Sequence, residues 1–207
     1  MQQPTGESRF HWTPGVLAVA IFTGLYLAVS IVVAIGRGNK EFIFYVAVMV
    51  LLIALVWAVH RRVGLNTWTL WGLSLWGFLH MAGGLVPLGE DSVLYNWWLI
   101  PERLKYDQVV HAFGFGLTTW VCWQAMRRNL ADPRPRFGPL FLCVAAGMGF
   151  GAMNEIVEFI ATLTMPETNV GGYINTGWDL VANAVGATAA ALLIARFDRA
   201  AEVGAEG

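Results

Sequence analysis

The sequence predicts an all-α, polytopic membrane protein with six transmembrane helices in one bundle. Of its 207 residues, 57% are hydrophobic and 13% charged, and the mean hydropathy is +0.56, more apolar than a soluble core requires. Six segments approach the roughly 20 apolar residues that cross a hydrocarbon layer about 30 Å thick. The Lys and Arg residues are also divided unevenly between the intervening loops, which is how orientation is set.

The first segment covers residues 16–35. Ala28, Val29 and Ser30 imitate a signal-peptidase site, but the apolar run continues to Ile35 and only Arg9 precedes it, so it is retained as a span. The second, 42–59, ends at His60, Arg61 and Arg62, which act as positive anchors on the inner face. The third, 67–88, carries His80 eight residues before its far end. Residues 89–105 then suit a loop or short helix lying in the outer headgroup layer, with Trp97, Trp98 and Pro101 among acids. The fourth segment, 106–126, opens with Asp107 and His111 and ends at the anchors Arg127 and Arg128. Asp132, Pro133, Arg134 and Pro135 form a rigid connector. The fifth, 137–164, has no charge except Glu155 and Glu158. The sixth, 176–195, begins with Asp179 and Asn183, and the tail beyond Arg196, with Gly204 and Gly207, is expected to fray.

This topology puts Arg9, Arg61, Arg62, Arg127, Arg128, Arg134, Arg136, Arg196 and Arg199 on the side of the N-terminus, and Arg37, Lys40, Arg103 and Lys105 opposite. Both termini are therefore expected in the cytoplasm, with the chain in a bacterial inner membrane. Trp68, Trp71, Trp120 and Trp123 would ring the inner interface, Trp97, Trp98 and Trp178 the outer one, and His11 would be an exposed interfacial residue. Residues 1–207 read as one transmembrane domain without an internal repeat. A net charge of −1 argues against nucleic acid as a partner. Cys122 and Cys143 lack metal or redox spacing and read as small core-filling residues.

The polar residues of the last four segments share a depth, all in the outer half at about 1.5 Å of rise per residue. They also share faces. Asp107 and His111 are four apart, Glu155 and Glu158 three, and Asp179 and Asn183 four, with Gly186 on the same face. Gly83, Gly84, Gly114, Gly116, Gly147, Gly149, Gly151 and Gly186 would let the helix backbones approach around a common cavity. A charge at the centre of a span costs roughly 2.5–3.5 kcal/mol on insertion scales. No Lys or Arg lies within these spans, and His80 and His111 together would balance only two of the four carboxylates. The site must hold protons, bind a cation or borrow Arg103 and Lys105 from the outer loop.

Tyr106–Gly116 (YDQVVHAFGFG), Asn154–Phe159 (NEIVEF), Trp178–Ala187 (WDLVANAVGA) and His80–Gly84 (HMAGG) resemble a bacterial inner-membrane family typified by YjdF. More distantly, the order of these helices is similar to VanZ-like proteins, although Gln108 and Glu158 depart from that pattern. The likeness covers residues 78–190, the motif-bearing four-helix portion. The YjdF group implies no particular activity; the wider VanZ-like grouping implies action on lipid headgroups or lipid-linked phosphate esters, with His80, Asp107, His111, Glu155, Glu158, Asp179 and Asn183 as the active site.

The residues themselves allow an enzyme of this kind, a lipid phosphoesterase or headgroup transferase with membrane lipid as its partner. His111, oriented by Asp107, is the candidate general base or nucleophile. Glu155, Glu158 and Asp179 would hold a metal or position the attacking hydroxyl, with His80 as ligand or acid, and the donor set suits Zn, Mn or Fe. Asn154, Asn183, Arg103 and Lys105 are candidates for binding substrate. The same acids also suit a transporter of protons or metal ions, or a non-catalytic scaffold joined by polar contacts. Transport is opposed by the expected lack of polar residues in the inner half.

Overall fold

Each helix begins or ends where the local sequence supplies a partner for its free backbone groups. In the computed structural model, which describes residues 12–205 except Asp91, Pro133 and Glu167, and side chains through Phe197, α1 spans Pro14–Gly36. Thr13 accepts from the Val16 amide at its N-cap and Pro14 fills the first turn, where no amide proton is needed. Helix α2 covers Lys40–Val63, is capped by Asn39, and stops at Gly64, whose φ of 69° a side chain would resist. Helix α3 covers Thr67–Leu85 behind Asn66, whose Oδ1 receives both the amide and the hydroxyl of Thr69. Helices α4, α5 and α6 cover Tyr106–Arg127, Phe137–Thr164 and Gly172–Ala205.

The fold is all-α in its six long helices, with one difference from the expected loop at 89–105. That segment makes a one-turn 3-10 helix, Leu94–Asn96, and a two-stranded antiparallel hairpin of β1 (Trp98–Ile100) and β2 (Leu104–Lys105). Glu102 takes a positive φ at the hairpin tip. Strand pairing satisfies backbone groups that a bare loop in the headgroup layer would leave to water. Helix α6 continues to Ala205, so the backbone there does not fray where expected. Arg9, His11, Pro133 and Gly207 lie outside the described residues, as does the Arg199 side chain.

Two sets of contacts tie the helix ends into opposite rims. On the side of the N-terminus, Arg128 donates to the Val63 carbonyl, Asn66 N to Gln124 Oε1 at 3.0 Å, and Gln124 Nε2 to Thr69 Oγ1 at 2.6 Å. At the other rim, Arg37 donates to the Leu85 carbonyl at 2.6 Å, and Asn169 donates to Glu41 through its amide and its side chain. Asp132 receives Arg134 at 2.8 Å and Arg136 at 2.6 Å, which bends the chain into α5 and holds the Asp132 carboxyl below its usual range.

The outside of the molecule is apolar and the inside carries the polar groups. Val32 is 71% exposed and Leu192 67%, with Leu25, Leu51, Leu163 and Val185 also outward. Such a girdle is unstable in water and is the surface a bilayer covers. Helices α1, α2, α5 and the part of α6 up to Phe197 are long and apolar enough to cross a membrane, which makes this a polytopic membrane protein. Helix α4 is packed against α6, α5 and α3, so its polar residues need not meet lipid. Trp123 corrects one expectation: it is buried with Leu140, Cys143 and Ile194, not placed in an interfacial ring. Cys143 is a buried free thiol and Cys122 packs beside the same cluster, as small core residues do.

The half of the bundle nearer the N-terminus, expected to be inner, is also less bare than expected. Thr23 and Ser74 share a hydrogen bond of 2.6 Å, and Thr119 is fully buried with its hydroxyl donating to the Phe115 carbonyl. These polar groups are uncharged and paired.

Candidate functional site

Helix α4 meets α6 more closely than any other pair because glycine faces backbone. A Cβ on Gly186 would enter the Ala112 backbone, and one on Gly116 would come within 3.0 Å of the Gly186 carbonyl oxygen. Gly151 of α5 similarly leaves room for the Asn183 side chain. Gly149 touches nothing within 4 Å, so it does not share this packing role.

This approach brings His111 to the centre of a buried cluster of polar side chains. The imidazole is 2% exposed, Asp179 1%, Asn183 0% and Glu155 8%. His111 Nδ1 lies 3.1 Å from Asn183 Oδ1. Because that amide oxygen only accepts, Nδ1 carries the proton and the Nε2 lone pair is free. Nε2 is 3.6 Å from Asp107 Oδ1, and Nδ1 is 3.6 Å from Glu155 Oε1, both longer than a hydrogen bond.

The acids are held from outside the chamber. Asn175 donates through Nδ2 to Asp107 Oδ2 at 3.1 Å and to Asp179 Oδ2 at 2.6 Å, so one amide bridges two helices. Asn154 donates to Glu158 Oε1 at 2.9 Å. Among the described residues, Asp179 Oδ1 and Asn183 Nδ2 are buried without a hydrogen-bond partner. Buried polar atoms normally have one. Asp107, His111 and Asp179 each offer a ligand atom within 4.8 Å of the others, and so do His111, Glu155 and Glu158.

The remaining candidates fall at the margin. His80 joins neither triad. Its ring lies between Tyr45 at 6.1 Å and Tyr95 at 5.6 Å, and it lines a small cavity with Asn154 and Glu158. Lys105 reaches Asn175 Oδ1 at 3.5 Å from the hairpin and lies over the Trp98 ring. Arg103 is exposed at the hairpin tip, its amide donating to the Ile100 carbonyl.

Three contributors escaped the sequence reading. Asn175 stands one turn before Asp179 on the same face, a spacing that was available as a signal. Tyr95, in the loop, donates to the His80 carbonyl at 2.7 Å and packs where Gly83 leaves space. Burial pushes its phenol well above the ordinary value. Glu41 is buried against Asn169, a contact 128 residues long in sequence that no local pattern announces.

A membrane helical bundle with a buried acidic and imidazole chamber is the class these features define. Residues 18–200 match the model of the family described as predicted membrane protein (DUF2238), and the chain belongs to that family. No curated protein and no solved structure matches it.

Proposed function

We propose that this protein is a membrane-embedded enzyme acting on a lipid headgroup or lipid-linked phosphate ester. The observation that carries the reading is an apolar groove that shares one wall with a small cavity reached by His80, Asn154 and Glu158. The groove, about 340 Å³, is lined by α1, α2 and α3 from Trp12 and His60 to Tyr26. Met49, Leu52, Trp76 and Gly77 line both it and the cavity that holds His80, Asn154 and Glu158. An amphipathic substrate has this shape, with its chain in the groove and its headgroup against the chamber.

Two groups can take a proton from an attacking hydroxyl: the Glu155 carboxylate, and His111 through Nε2. Asn154 and Asn183 would orient the headgroup. Phosphate entering among four carboxylates requires a positive group, and Lys105 is the closest cation that the described hydrogen bonds connect to them.

The same reading takes α3 and α4 as crossings five and six in number, because 19 and 22 residues at about 1.5 Å each come close to the hydrocarbon thickness. It treats the chain as one domain with both termini in the bacterial cytoplasm and the chamber in the outer half, as the Lys and Arg distribution requires. The more distant VanZ-like resemblance of residues 78–190 supports the same substrate class by analogy.

Reconstituted protein should cleave or exchange a phospholipid or lipid-phosphate headgroup, with His111→Ala and Glu155→Ala each lowering the rate at least about a hundredfold. Unchanged lipid products from both variants would end the proposal. Proton or metal flux through proteoliposomes that Glu158→Gln abolishes, without any lipid turnover, would replace it with transport.

A further inference from the structure

We propose that Asp107, His111 and Asp179 form a binding site for a single first-row divalent cation. The arrangement of the surrounding amides selects which atoms face inward. Asn175 engages Oδ2 of both aspartates, and Asn183 engages Nδ1 of His111. What remains is one lone-pair donor from each residue: Asp107 Oδ1, His111 Nε2 and Asp179 Oδ1. A histidine whose second nitrogen donates to an oxygen, and carboxylates whose second oxygens are hydrogen-bonded, are the supports that metal ligands ordinarily have.

The separation of Nε2 from Asp107 fits an ion and is too long for a direct hydrogen bond. Nε2 and Asp107 Oδ1 are 3.6 Å apart, whereas tetrahedral ligands at Zn–N and Zn–O lengths stand about 3.4 Å apart. Asp179 Oδ1 is the independent sign. It is buried in a residue 1% exposed and has no hydrogen-bond partner among the described residues. One nitrogen and two carboxylate oxygens suit Zn, Mn or Fe better than Ca or Mg. Glu155, 3.6 Å from Nδ1 on the other side of the imidazole, lies outside this ligand set and would remain available to take a proton. His80, expected from sequence among the ligands, is outside this set.

The inference rests on ligand geometry and not on the lipid-phosphoester reading, so the two fail separately. The test is metal content and binding in the full-length protein in detergent, by elemental analysis and by titration of the metal-stripped protein with Zn²⁺ and Mn²⁺. About one ion per chain is expected for a three-ligand site. Asp179→Asn should weaken affinity at least tenfold, while Asp132→Asn, on the exposed connector, should leave it unchanged. X-ray absorption of the Zn²⁺-loaded wild-type protein gives a second measurement if the variant fails to fold, with one imidazole and otherwise oxygen ligands expected. Stoichiometry below about 0.1 per chain under every loading, two or more imidazoles, sulfur ligation, or unchanged affinity in a folded Asp179→Asn variant would overturn it.

Discussion

One amide, that of Asn175, holds two carboxylates from different helices. Without it, Asp107 and Asp179 face each other with less to offset their repulsion, and each oxygen loses a donor in a buried site. Asn175→Ala should therefore lower stability by about 1–3 kcal/mol, read as an earlier midpoint in detergent unfolding. Adding Asp107→Asn should recover part of that loss, because the two changes share one contact and are not additive. Equal midpoints for Asn175→Ala and the wild type would show that the bridge has no energetic role. The acids and His111 were legible in the sequence because charge is expensive in an apolar run. Asn175 was not, since asparagine near a helix start is ordinary, and only the fold reveals that its two protons reach two acids.

At the scale of elements, the chamber exists because α4 and α6 touch along glycine. Gly186→Ala should cost about 1–3 kcal/mol, since the added methyl meets the rigid Ala112 backbone and the helices must separate. Gly149→Ala, with nothing within 4 Å, should be near neutral, and comparable losses in both variants would contradict the packing account. Glu41 makes a second element-level link, from α2 to the segment before α6. Glu41→Ala strands the Asn169 donors at 2.7–3.1 Å and should destabilise by about 1–3 kcal/mol in the same unfolding assay. No loss there would mean that water replaces the contact. Helix boundaries were legible to within a few residues at most ends, because the apolar runs stop close to where the helices do. The hairpin was not, because Trp98–Ile100 and Leu104–Lys105 are too short for a strand period to register. His80 shared the right depth but not the right direction, and depth alone cannot place a ring.

For the whole molecule, the central claim is that α5 and α6 turn their acids inward and their aliphatic residues to lipid. Composition made the membrane legible at once. The inward direction followed only from matched spacing on three helices, and needed the structure to locate the meeting point at His111. Cytoplasmic reporters fused to either terminus should both be active, and activity at only one end would overturn the six-crossing topology. The most direct test is a nitroxide scan along residues 151–163 and 179–193 in bilayers, reading collision with molecular oxygen, which concentrates in lipid. Oxygen accessibility should peak at positions 153, 156, 160 and 163 and at 181, 185 and 192, where the native side chains are exposed. It should fall at 151, 155 and 161 and at 179, 183 and 187, where they are buried. A profile with the same helical period but maxima at 155 and 179 would turn these carboxylates out of the bundle and leave no chamber.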